Sequence, residues 1–416
     1  MKTIVIVGGG AGGLELATRL GDSGQARVVL VDRWPAHFWK PLLHTVASGK
    51  VDAQAAEIGY AAQALEHGFE FARGEVLGVD REARAVLLAP LLADDGAELL
   101  PARSIAYDQL VLALGSVTNL FGVPGAAQHA LTLEDVPQAE AFRQRFMDGC
   151  LRASVHGKGM DIVIVGGGAT GVELAAELNH SARMLARYNF HARGPEGHVR
   201  IRLVERGSRL LPHLDPRQSK RALRHLRALG VKVATDSAVA RVDAHAVIDT
   251  DGTVFPAAIT LWAAGVQAPA MCATLGLPVS RLGQVVVGPT LQALGAPDIY
   301  AIGDCASFTS PGGGAVPPRA QAAHQQALYL AGVLASGWPG KAPAFAYHDY
   351  GSLVSLGPLA AVGMLSGLRV GGVLARLLYA LMYRKHLMAL QGFARMAART
   401  VADWINAKLA PPVRLH

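Results

Sequence analysis

Two glycine-rich stretches carry the strongest chemical signal in this sequence. Residues 4–20 and 162–178 are identical at 13 of 17 positions, and each contains the spacing G-x-G-x-x-G. In such a motif the first glycine permits a tight turn, the second lets a pyrophosphate approach the backbone, and the third lets a helix pack closely on a strand. The N–H groups at the start of that helix attract the phosphates. The sequence therefore predicts two dinucleotide-binding sites, whose motif glycines are Gly8, Gly10, Gly13, Gly166, Gly168 and Gly171.

An acidic residue follows each glycine motif at the end of the next predicted strand. The stretch RVVLVD ends at Asp32, and VRIRLVE ends at Glu205. A carboxylate in this position accepts hydrogen bonds from ribose hydroxyls. Glu205 would repel a 2′-phosphate and so favours a dinucleotide without that group at the second motif, whereas Arg206 and Arg209 could accommodate such a phosphate. The interval from the second motif to its acid is the longer one, so the segment around 180–198 is predicted to be an insertion.

Strands and helices must position these residues. Each motif follows four apolar β-branched residues, which predict a buried parallel strand, and precedes an Ala/Glu/Leu-rich stretch, which predicts a helix. The stretches YDQLVLALGS (107–116) and DIYAIGDCA (298–306) each predict a short strand that runs into a glycine. The predicted fold class is therefore α/β, with two Rossmann-like dinucleotide-binding domains. The segment 350–368 is predicted to form short strands with turns rather than a membrane span.

The composition favours an enzyme with sizeable cores and argues against several other classes. A length of 416 residues allows two or three domains. The three cysteines show no C-x-x-C spacing, which favours a reducing compartment and argues against metal or disulfide chemistry. The apolar run in MKTIVIVGGG enters the glycine turn after five residues, so it is predicted to be a strand rather than a signal peptide.

A further chemical feature is the stretch PPRAQAAHQQA at 317–327. Its two prolines preset a first helical turn, so a helix is predicted to begin near Arg319. Gln321 and Gln325 are four residues apart and share one face of that helix. Their amides could flank a flat ligand with two carbonyl groups, or they could form an ordinary solvated polar face.

The motifs together resemble those of the two-dinucleotide flavoprotein reductases. That resemblance implies FAD at the first glycine motif, with Asp304 of GDCA bonded to the ribityl chain, and NADH at the second motif. It also implies an FAD domain that is split by an inserted NADH domain. The predicted boundaries are 1–118 and 268–345 for the FAD-binding domain, 119–267 for the NADH-binding domain, and 346–416 for a C-terminal membrane-associating region.

A narrower resemblance is to the type II NADH dehydrogenases, which are single-subunit NADH:quinone oxidoreductases that pump no protons. It rests on VGGGAGG, TNLFGVPG, GGGATGVELAAEL, LWAAGV, AIGDCA, AQAAHQ and YHDYGSLVSLG, which span nearly the whole chain. The pattern A-Q-x-A-x-Q, with Gln321 and Gln325, is similar to that family's quinone-site motif. His324 and Gln326 depart from it, which leaves the quinone head group open. The resemblance implies electron transfer from NADH through FAD to a membrane quinone, either ubiquinone or menaquinone.

The resemblance also assigns residues to roles. Glu173 resembles a family glutamate that contacts the nicotinamide and assists catalysis, although it could instead compensate the helix dipole, as Glu15 would in the first copy. Lys385 resembles a family lysine that reaches the flavin, and a membrane-facing position would fit it equally well. No metal site and no nucleic-acid partner are implied. The predicted cofactor-binding residues are Gly8, Gly10, Ala11, Gly12, Gly13, Asp32, Arg33, Lys40, Val76, Gly166, Gly168, Gly171, Glu205, Gly265, Asp304, Ala320, Gln321 and Lys385.

Other members of that superfamily pass electrons to different acceptors. A disulfide reductase needs a redox cysteine pair, which HFWKPLLHTVASG (37–49) lacks. A sulfide:quinone oxidoreductase needs cysteines flanking the flavin, whereas here Cys305 lies inside GDCA, no cysteine follows it, and Cys150 is alone. Two alternatives remain. One is a soluble NADH-dependent flavoprotein reductase of a protein acceptor such as a ferredoxin, and the other is a membrane-bound redox sensor without meaningful turnover. Steady-state NADH oxidation with a short-chain quinone separates these functions.

The charge imbalance of the chain lies at its C-terminal end. From Met364 to His416 eight Lys/Arg residues oppose one acid, which gives +7, the net charge of the whole chain. A basic helix with an apolar arc lies flat on an anionic membrane surface, although packing on the protein's own core is the alternative. The predicted location is therefore peripheral, on the cytoplasmic side of the cell inner membrane, and a homodimer is among the oligomeric states that the sequence allows. On a helical wheel of 384–406 the apolar arc contains Leu387, Leu390, Phe393, Ala394, Ala397, Val401, Trp404 and Ile405.

Overall fold

The computed structural model of the chain describes residues 1–156, 159–188, 199–310, 313–336, 342–409 and 413–414. The strands are β1 (Thr3–Val7), β2 (Arg27–Asp32), β3 (Ala36–His37), β4 (Ile58–Gly59), β5 (Glu70–Arg73), β6 (Val76–Asp80), β7 (Ala85–Leu88), β8 (Leu91–Leu92), β9 (Glu98–Leu100), β10 (Arg103–Ala106), β11 (Gln109–Leu112), β12 (Val117–Thr118), β13 (Ala130–Leu131), β14 (Met160–Val165), β15 (Val199–Val204), β16 (Lys232–Ala234), β17 (Val239–Asp243), β18 (Ala246–Asp249), β19 (Val254–Pro256), β20 (Ile259–Trp262), β21 (Val266–Gln267), β22 (Val285–Val286), β23 (Gln292–Ala293), β24 (Ala296–Ala301), β25 (Ala306–Ser307), β26 (Gly351–Ser355), β27 (Ala361–Leu365) and β28 (Leu368–Gly372). The helices are α1 (Ala11–Ser23), α2 (Leu43–Ala47), α3 (Ala53–Ala56), α4 (Tyr60–His67), α5 (Ala126–His129), α6 (Val136–His156), α7 (Ala169–Arg187), α8 (Pro216–Ala228), α9 (Met271–Thr274), α10 (Ala320–Ala335) and α11 (Val373–Leu409), with 3-10 turns at Lys40–Leu42 and Gly303–Cys305.

The chain divides into two compact units. The first unit contains Met1–Trp39, Glu57–Val117 and Val266–His348, and the second contains Lys40–Ala56, Thr118–Gly265 and Asp349–His416. This division differs from the predicted domain boundaries, because Lys40–Ala56 and the C-terminal region both belong to the second unit. The predicted boundaries describe which nucleotide each part binds, so they remain a prediction.

The first unit is built on a six-stranded sheet with the order β23-β24-β11-β1-β2-β5. Strand β1 pairs in parallel with both β2 and β11, so the strand order reverses at β1. Residues Ile4–Val7 are at most 2% exposed, as a strand covered on both faces requires. The predicted strands at 107–116 and 298–306 are present as β11 and β24, which are neighbours. The first glycine motif therefore lies at the switch point of the sheet, where dinucleotides bind in such folds.

The second unit repeats this arrangement in a parallel sheet with the order β13-β20-β14-β15-β16. Strand β14 lies between β15 and β20, and the second glycine motif follows it at the reversal point. These two sheets confirm the predicted α/β fold class. Helix α7 continues through the first part of the predicted insertion to Arg187, and the rest of that prediction, 189–198, lies outside the described residues.

The C-terminal part of the second unit consists of the antiparallel sheet β26-β27-β28 and helix α11. The prediction of short strands over 350–368 is confirmed. Among the described residues no helix is both long enough and apolar enough to cross a bilayer.

Helix α11 differs from the continuous amphipathic helix that was predicted over 384–406. It breaks at Gly392, whose φ of 75° and ψ of 173° are not helical. Leu387 and Leu390 are each 1% exposed, whereas Phe393 is 71% and Trp404 is 61% exposed. The prediction of one continuous apolar arc is wrong, because a helical wheel assumes the same rotation for every residue and the break at Gly392 interrupts that rotation. Within the predicted arc, Leu387 and Leu390 before the break are buried, whereas the large apolar residues after it, Phe393, Val401, Trp404 and Ile405, are exposed.

Candidate functional site

The first glycine motif forms a tight turn whose shape depends on the absence of side chains. Gly8 has a φ of +102°, and a Cβ on Gly13 would lie 1.8 Å from the Gly8 carbonyl oxygen. Gly12 packs α1 against α10, because a Cβ there would lie 3.1 Å from the Ala323 carbonyl oxygen. Gly10 instead faces open space before the N-terminus of α1, where Ala11 begins the helix. This open backbone fits a pyrophosphate.

The turn is fixed through Gly9. The Gly9 N–H donates to Asp32 Oδ2 at 2.7 Å, and the Gly9 carbonyl accepts from the Tyr60 hydroxyl at 2.8 Å and from His37 Nδ1 at 2.9 Å. Burial lowers the pKa of His37 to about 4, so its ring is neutral near pH 7. The second oxygen of Asp32 accepts from the Trp34 N–H at 2.8 Å. Sequence reasoning identified Asp32 but missed His37 and Tyr60, because nothing in their spacing points to Gly9.

The second glycine motif has the same geometry. Gly166 has a φ of +112°, and a Cβ on Gly171 would lie 2.0 Å from the Gly166 carbonyl oxygen, while Gly168 faces open space. Glu205 accepts hydrogen bonds from the Gly167 and Gly207 N–H groups, each at 2.6 Å. The carboxylate is thus fixed at the end of β15, beside the turn. This backbone and this acid fit a second dinucleotide.

The two arginines after Glu205 differ in their freedom. The Arg209 guanidinium donates to the carbonyl oxygens of Leu214 at 2.8 Å and Pro212 at 2.6 Å. It is therefore engaged by its own loop rather than free to meet a 2′-phosphate. Arg206 is exposed. Arg209 therefore no longer argues against a preference for NADH over NADPH.

In the first unit, the GDCA turn is positioned by two side-chain amides and a hydroxyl. The Gln326 side chain accepts from the Gly303 N–H at 2.7 Å, and Gln284 donates to the Asp304 carbonyl at 2.9 Å. The Ser116 hydroxyl donates to Asp304 Oδ2 at 2.8 Å. Gln326 is 1% exposed, so this departure from the family pattern serves the turn that carries Asp304 rather than a ligand.

Helix α10 begins at Ala320 with Arg319 as its N-cap, which confirms the predicted start. Gln321 and Gln325 are both half-buried. The Gln325 amide makes two hydrogen bonds with the backbone of His348, donating to its carbonyl at 2.8 Å and accepting from its N–H at 3.0 Å. Gln325 therefore fixes the chain at His348, while Gln321 lies one turn closer to the start of the helix.

The glutamate in the helix of the first motif is ion-paired. Glu15 is fully buried, and its Oε1 accepts from Arg19 Nε at 3.0 Å and Nη2 at 2.9 Å. Its Oε2 accepts from His324 Nδ1 at 2.5 Å. The second departure from the family pattern, His324, thus binds a buried carboxylate of its own unit.

The equivalent glutamate of the second motif has different surroundings. Glu173 is 6% exposed and accepts from the Ser355 N–H at 2.9 Å and from the Tyr379 hydroxyl. His44 Nδ1 lies 3.6 Å from Glu173 Oε2, a distance that an ion pair would allow. Burial raises the pKa of Glu173 to about 8 and lowers the pKa of His44 to about 4. Near pH 7 the acid is therefore protonated and the imidazole neutral, so the two do not form an ion pair.

The lysine of this cluster is paired with a different acid. Lys50 Nζ lies 2.9 Å from Glu177 Oε1, one helical turn beyond Glu173. Among the groups that shift the pKa of Glu173, Arg376 has the smallest effect, which lowers the pKa. Glu173 is thus a buried carboxyl group with hydrogen-bond donors but without a closely paired cation, which is why burial decides its protonation.

The remaining predicted residues have more ordinary surroundings. Lys40 belongs to the second unit, where its ammonium group pairs with Glu134 at 2.7 Å. Lys385 is exposed, with Nζ 5.8 Å from the centre of the Tyr350 ring. Gly265 adopts a φ of +74° against the Phe121 ring. In the first unit, Val76 opens β6, and the Arg33 guanidinium stacks over Trp34. Their cofactor contacts remain predictions.

Comparisons with known proteins point in one direction. The family model for pyridine nucleotide-disulphide oxidoreductases matches residues 2–327. A type II NADH:quinone oxidoreductase of Haemophilus influenzae is 38% identical over 100% of both chains, and a demethylphylloquinone reductase of Synechocystis is 30% identical over 91% of both. The fold is similar to that of NDH2 from Plasmodium falciparum in complex with NADH, with a TM-score of 0.86, 19% identity, and coverage of 100% of this chain and 99% of that chain.

Proposed function

The chain belongs to the type II NADH:quinone oxidoreductases within the pyridine nucleotide-disulphide oxidoreductase family, and we propose that it transfers electrons from NADH through FAD to a membrane quinone without pumping protons. The observation that carries this proposal is the pair of complete nucleotide turns, one in each unit, each with an open central glycine and a fixed carboxylate. One turn serves the flavin and the other the nicotinamide. Two such turns are what a donor and an acceptor nucleotide need.

The first unit is assigned to FAD. Its glycine turn and the N-terminus of α1 would hold the pyrophosphate, Asp32 the adenosine ribose, and Asp304 the ribityl chain. FAD, when bound, accepts a hydride equivalent from NADH and passes two electrons on to quinone. The Ser116 hydroxyl and the Gln326 amide set the position of Asp304 and its turn. The protein's contribution to hydride transfer is this positioning.

The second unit is assigned to NADH. Glu205 is fixed by two N–H groups beside the glycine turn, where it would meet the adenosine ribose of NADH. A carboxylate there accepts hydrogen bonds from both ribose hydroxyls and repels a 2′-phosphate. Because Arg209 is engaged by its own loop, the balance of charge at this position favours NADH over NADPH.

Glu173 is assigned the role of proton donor. Reduction of a quinone consumes two protons, and a general acid works best when its pKa is near the working pH. The pKa of about 8 means that Glu173 carries a proton at neutral pH. Its deprotonated form keeps hydrogen bonds from Ser355 and Tyr379, so the proton can leave without stranding an unsolvated charge.

Gln321 and Gln325 are assigned to the quinone site with different tasks. Gln325 also bonds the His348 backbone, so it fixes the segment that follows α10 as well as lining the quinone site. Gln321, half-buried in the first turn of α10, shares its helix face and would contact the quinone head group. The native quinone, ubiquinone or menaquinone, is not specified by these residues.

The membrane surface is assigned to the exposed part of α11. After the break at Gly392, apolar side chains are exposed in a segment that also carries basic residues, a combination that suits the interface of an anionic bilayer. The proposed location is peripheral, on the cytoplasmic side of the inner membrane, where NADH is available. The exposed apolar residues of this segment are Phe393, Val401, Trp404, Ile405 and Leu409.

The direct experiment follows the flavin colour of the purified protein through both half-reactions. NADH should bleach the flavin, and a short-chain quinone should restore its colour. Gln325→Ala should slow the return of colour and leave the bleaching nearly unchanged, whereas Gln144→Ala on α6 provides a matched control without effect. A flavin that NADH bleaches but that only a ferredoxin-type protein reoxidises would contradict the quinone assignment.

A further inference from the structure

Helix α8 presents a row of five cations to solvent. Its residues include no Asp or Glu, and the cations recur at intervals of three and four, so they share one face. All five are exposed, and among the described residues none forms an ion pair with a carboxylate. The opposite face buries Gln218, Ser219, Ala222 and Leu226 in the second unit. The five cations are Arg217, Lys220, Arg221, Arg224 and Arg227.

This arrangement is unfavourable for an isolated helix. Like charges four residues apart repel each other, as in the pairs Arg217–Arg221 and Lys220–Arg224. Arg217 also lies in the first turn, where the helix dipole disfavours a cation. Asp215 caps the helix through the Arg217 N–H at 2.9 Å, but its carboxylate is shared with Arg369 at 3.2 Å. A helix that keeps these charges unbalanced is suited to an anionic partner.

Helix α8 is attached to the C-terminal β26–β28 sheet of the same unit, mainly through residues other than the five cations. Gln218 Nε2 donates to the carbonyl oxygens of Gly363 and Val370, each at 2.8 Å. The Arg221 guanidinium lies against the end of β28, since a Cβ on Gly371 would be 2.3 Å from its Nη1. His225 Nε2 donates to the Leu356 carbonyl at 2.9 Å. Three successive turns of α8 are therefore held against the β26–β28 sheet.

An exposed apolar surface begins where β28 ends. Val373 is 72%, Leu374 60% and Leu377 58% exposed at the start of α11. Leu368, at the start of β28, is 71% exposed. Arg221 lies against Gly371, which is two residues before Val373, so this cation is close to the exposed apolar surface. Cations beside exposed leucine and valine side chains are what an anionic bilayer interface accepts, because it offers both negative headgroups and an apolar interior.

We propose that the five cations of α8, together with the apolar start of α11, form a second membrane-docking surface that binds the anionic headgroups of a lipid bilayer. The proposal rests on the membrane location proposed above but adds a different element, because α8 lies outside the C-terminal segment that holds the net charge of the chain. Bound in this way, the second unit contacts the bilayer through α8 and the start of α11 as well as through the end of α11. The headgroups supply the counter-charges that α8 lacks.

The test compares binding of the FAD-loaded protein to phosphatidylcholine vesicles with and without phosphatidylglycerol. The wild-type protein should bind the anionic vesicles more tightly, and salt should reduce that preference. Arg217→Glu combined with Arg224→Glu should remove the preference, weakening binding to anionic vesicles by about tenfold or more, while binding to phosphatidylcholine is kept. The matched control, Arg145→Glu with Arg152→Glu, makes the same charge change at the same spacing on exposed positions of α6 and should keep the preference.

Several outcomes would overturn the proposal. It fails if the α8 variant keeps the wild-type preference for anionic vesicles, or if the control loses as much binding as the α8 variant. Tighter binding to a single-stranded oligonucleotide than to anionic vesicles would assign the face to nucleic acid instead. A chain that ends at Leu390 lacks the exposed segment of α11 after Gly392, so its vesicle binding tests that segment separately from α8. A wild-type protein that binds no vesicle of either composition would overturn both the membrane location and the docking surface.

Discussion

Two helices of this protein begin with nearly the same sequence, yet the glutamates at their equivalent positions are in opposite chemical states. Glu15 and Glu173 are 158 residues apart, as are Gly8 and Gly166. Glu15 is fixed by Arg19 and His324 as one partner of a buried ion pair. Glu173 accepts hydrogen bonds from Ser355 and Tyr379, and its pKa is raised to about 8 by burial.

The difference shows where the chemistry of a repeated motif is decided. The glycine turns are alike, because the backbone contacts that they need are local. The carboxylates differ partly within the helix, where Arg19 pairs with Glu15 and Glu177 occupies the equivalent position in the second copy. They differ further because other partners come from distant parts of the chain, His324 in one unit and Ser355 in the other. One copy of the motif therefore serves as scaffold, and the other can hold and release a proton.

The largest expected effect is on the pH dependence of stability. In the folded protein the pKa of Glu173 is raised from 4.5 to about 8, so folding takes up a proton between these values and stability falls as the pH rises through that range. The full effect is at most about 5 kcal/mol. Relative to the wild type, Glu173→Gln should gain stability from pH about 4.5 to about 8 and then level off. Denaturant unfolding of the two holoproteins measures the difference, and a difference that does not change with pH would contradict the raised pKa.

The second effect is on turnover. Glu173→Gln keeps the shape and hydrogen bonds of the protonated acid but cannot release a proton, so quinone reduction should slow by about a hundredfold, near the lower end for a general acid. FAD content should be unchanged. Glu15→Gln makes the same substitution at the equivalent position, and its turnover per bound FAD should stay near the wild-type value. Equal losses of turnover in the two variants would mean that both glutamates are scaffold.

The third effect is on the stability at neutral pH, which the Glu15 variant should lose and the Glu173 variant should keep. Glu15→Gln leaves Arg19 and His324 without their carboxylate, so the free energy of unfolding should fall by about 2 kcal/mol. This value is below the range for a fully buried pair, because the Arg19 side chain is 37% exposed and can turn to solvent. Thermal unfolding should show the loss at neutral pH. Glu173→Gln should show no loss under the same conditions.

The smallest effect concerns the two ribose carboxylates. Glu205→Ser removes the charge that repels a 2′-phosphate, so the ratio of NADPH to NADH activity should rise about tenfold, or about 1.4 kcal/mol. Asp32→Ser, the equivalent change in the first unit, should weaken FAD retention and leave that ratio unchanged. Steady-state rates with the two nicotinamides measure both outcomes. A ratio that responds to Asp32 rather than to Glu205 would exchange the two nucleotide assignments.

The sequence could predict what depends on local pattern. The strands before and after each glycine motif, the start of α10 near Arg319 and the short strands over 350–368 all follow from apolar runs, prolines and glycines in one place. The acids Asp32 and Glu205 could be found because each stands at the end of the strand that follows the helix of its glycine motif. These elements are the ones that the fold confirms.

The sequence could not predict what depends on distant partners. Nothing near Glu173 indicates Ser355 or Tyr379, and nothing near Gly9 indicates Tyr60. Gln325 bonds to His348, which lies beyond the end of α10, so the spacing of residues within α10 does not indicate this contact. The break at Gly392 was hidden for a different reason, since a glycine within a helical pattern is compatible with either a regular or a broken helix until the packing of Leu387 and Leu390 decides.

The most direct test of the central claim is infrared spectroscopy of the carboxyl groups at neutral pH, comparing the wild type with Glu173→Gln and Glu15→Gln. Protonated carboxylic acids and ionised carboxylates absorb in separate bands, so the spectra report the state of each glutamate without reference to turnover. Because Glu173 is protonated and Glu15 is ion-paired, we expect Glu173→Gln to lose intensity in the protonated-acid band and Glu15→Gln to lose it in the carboxylate band. Loss of carboxylate absorption in both variants would mean that Glu173 holds no proton to give.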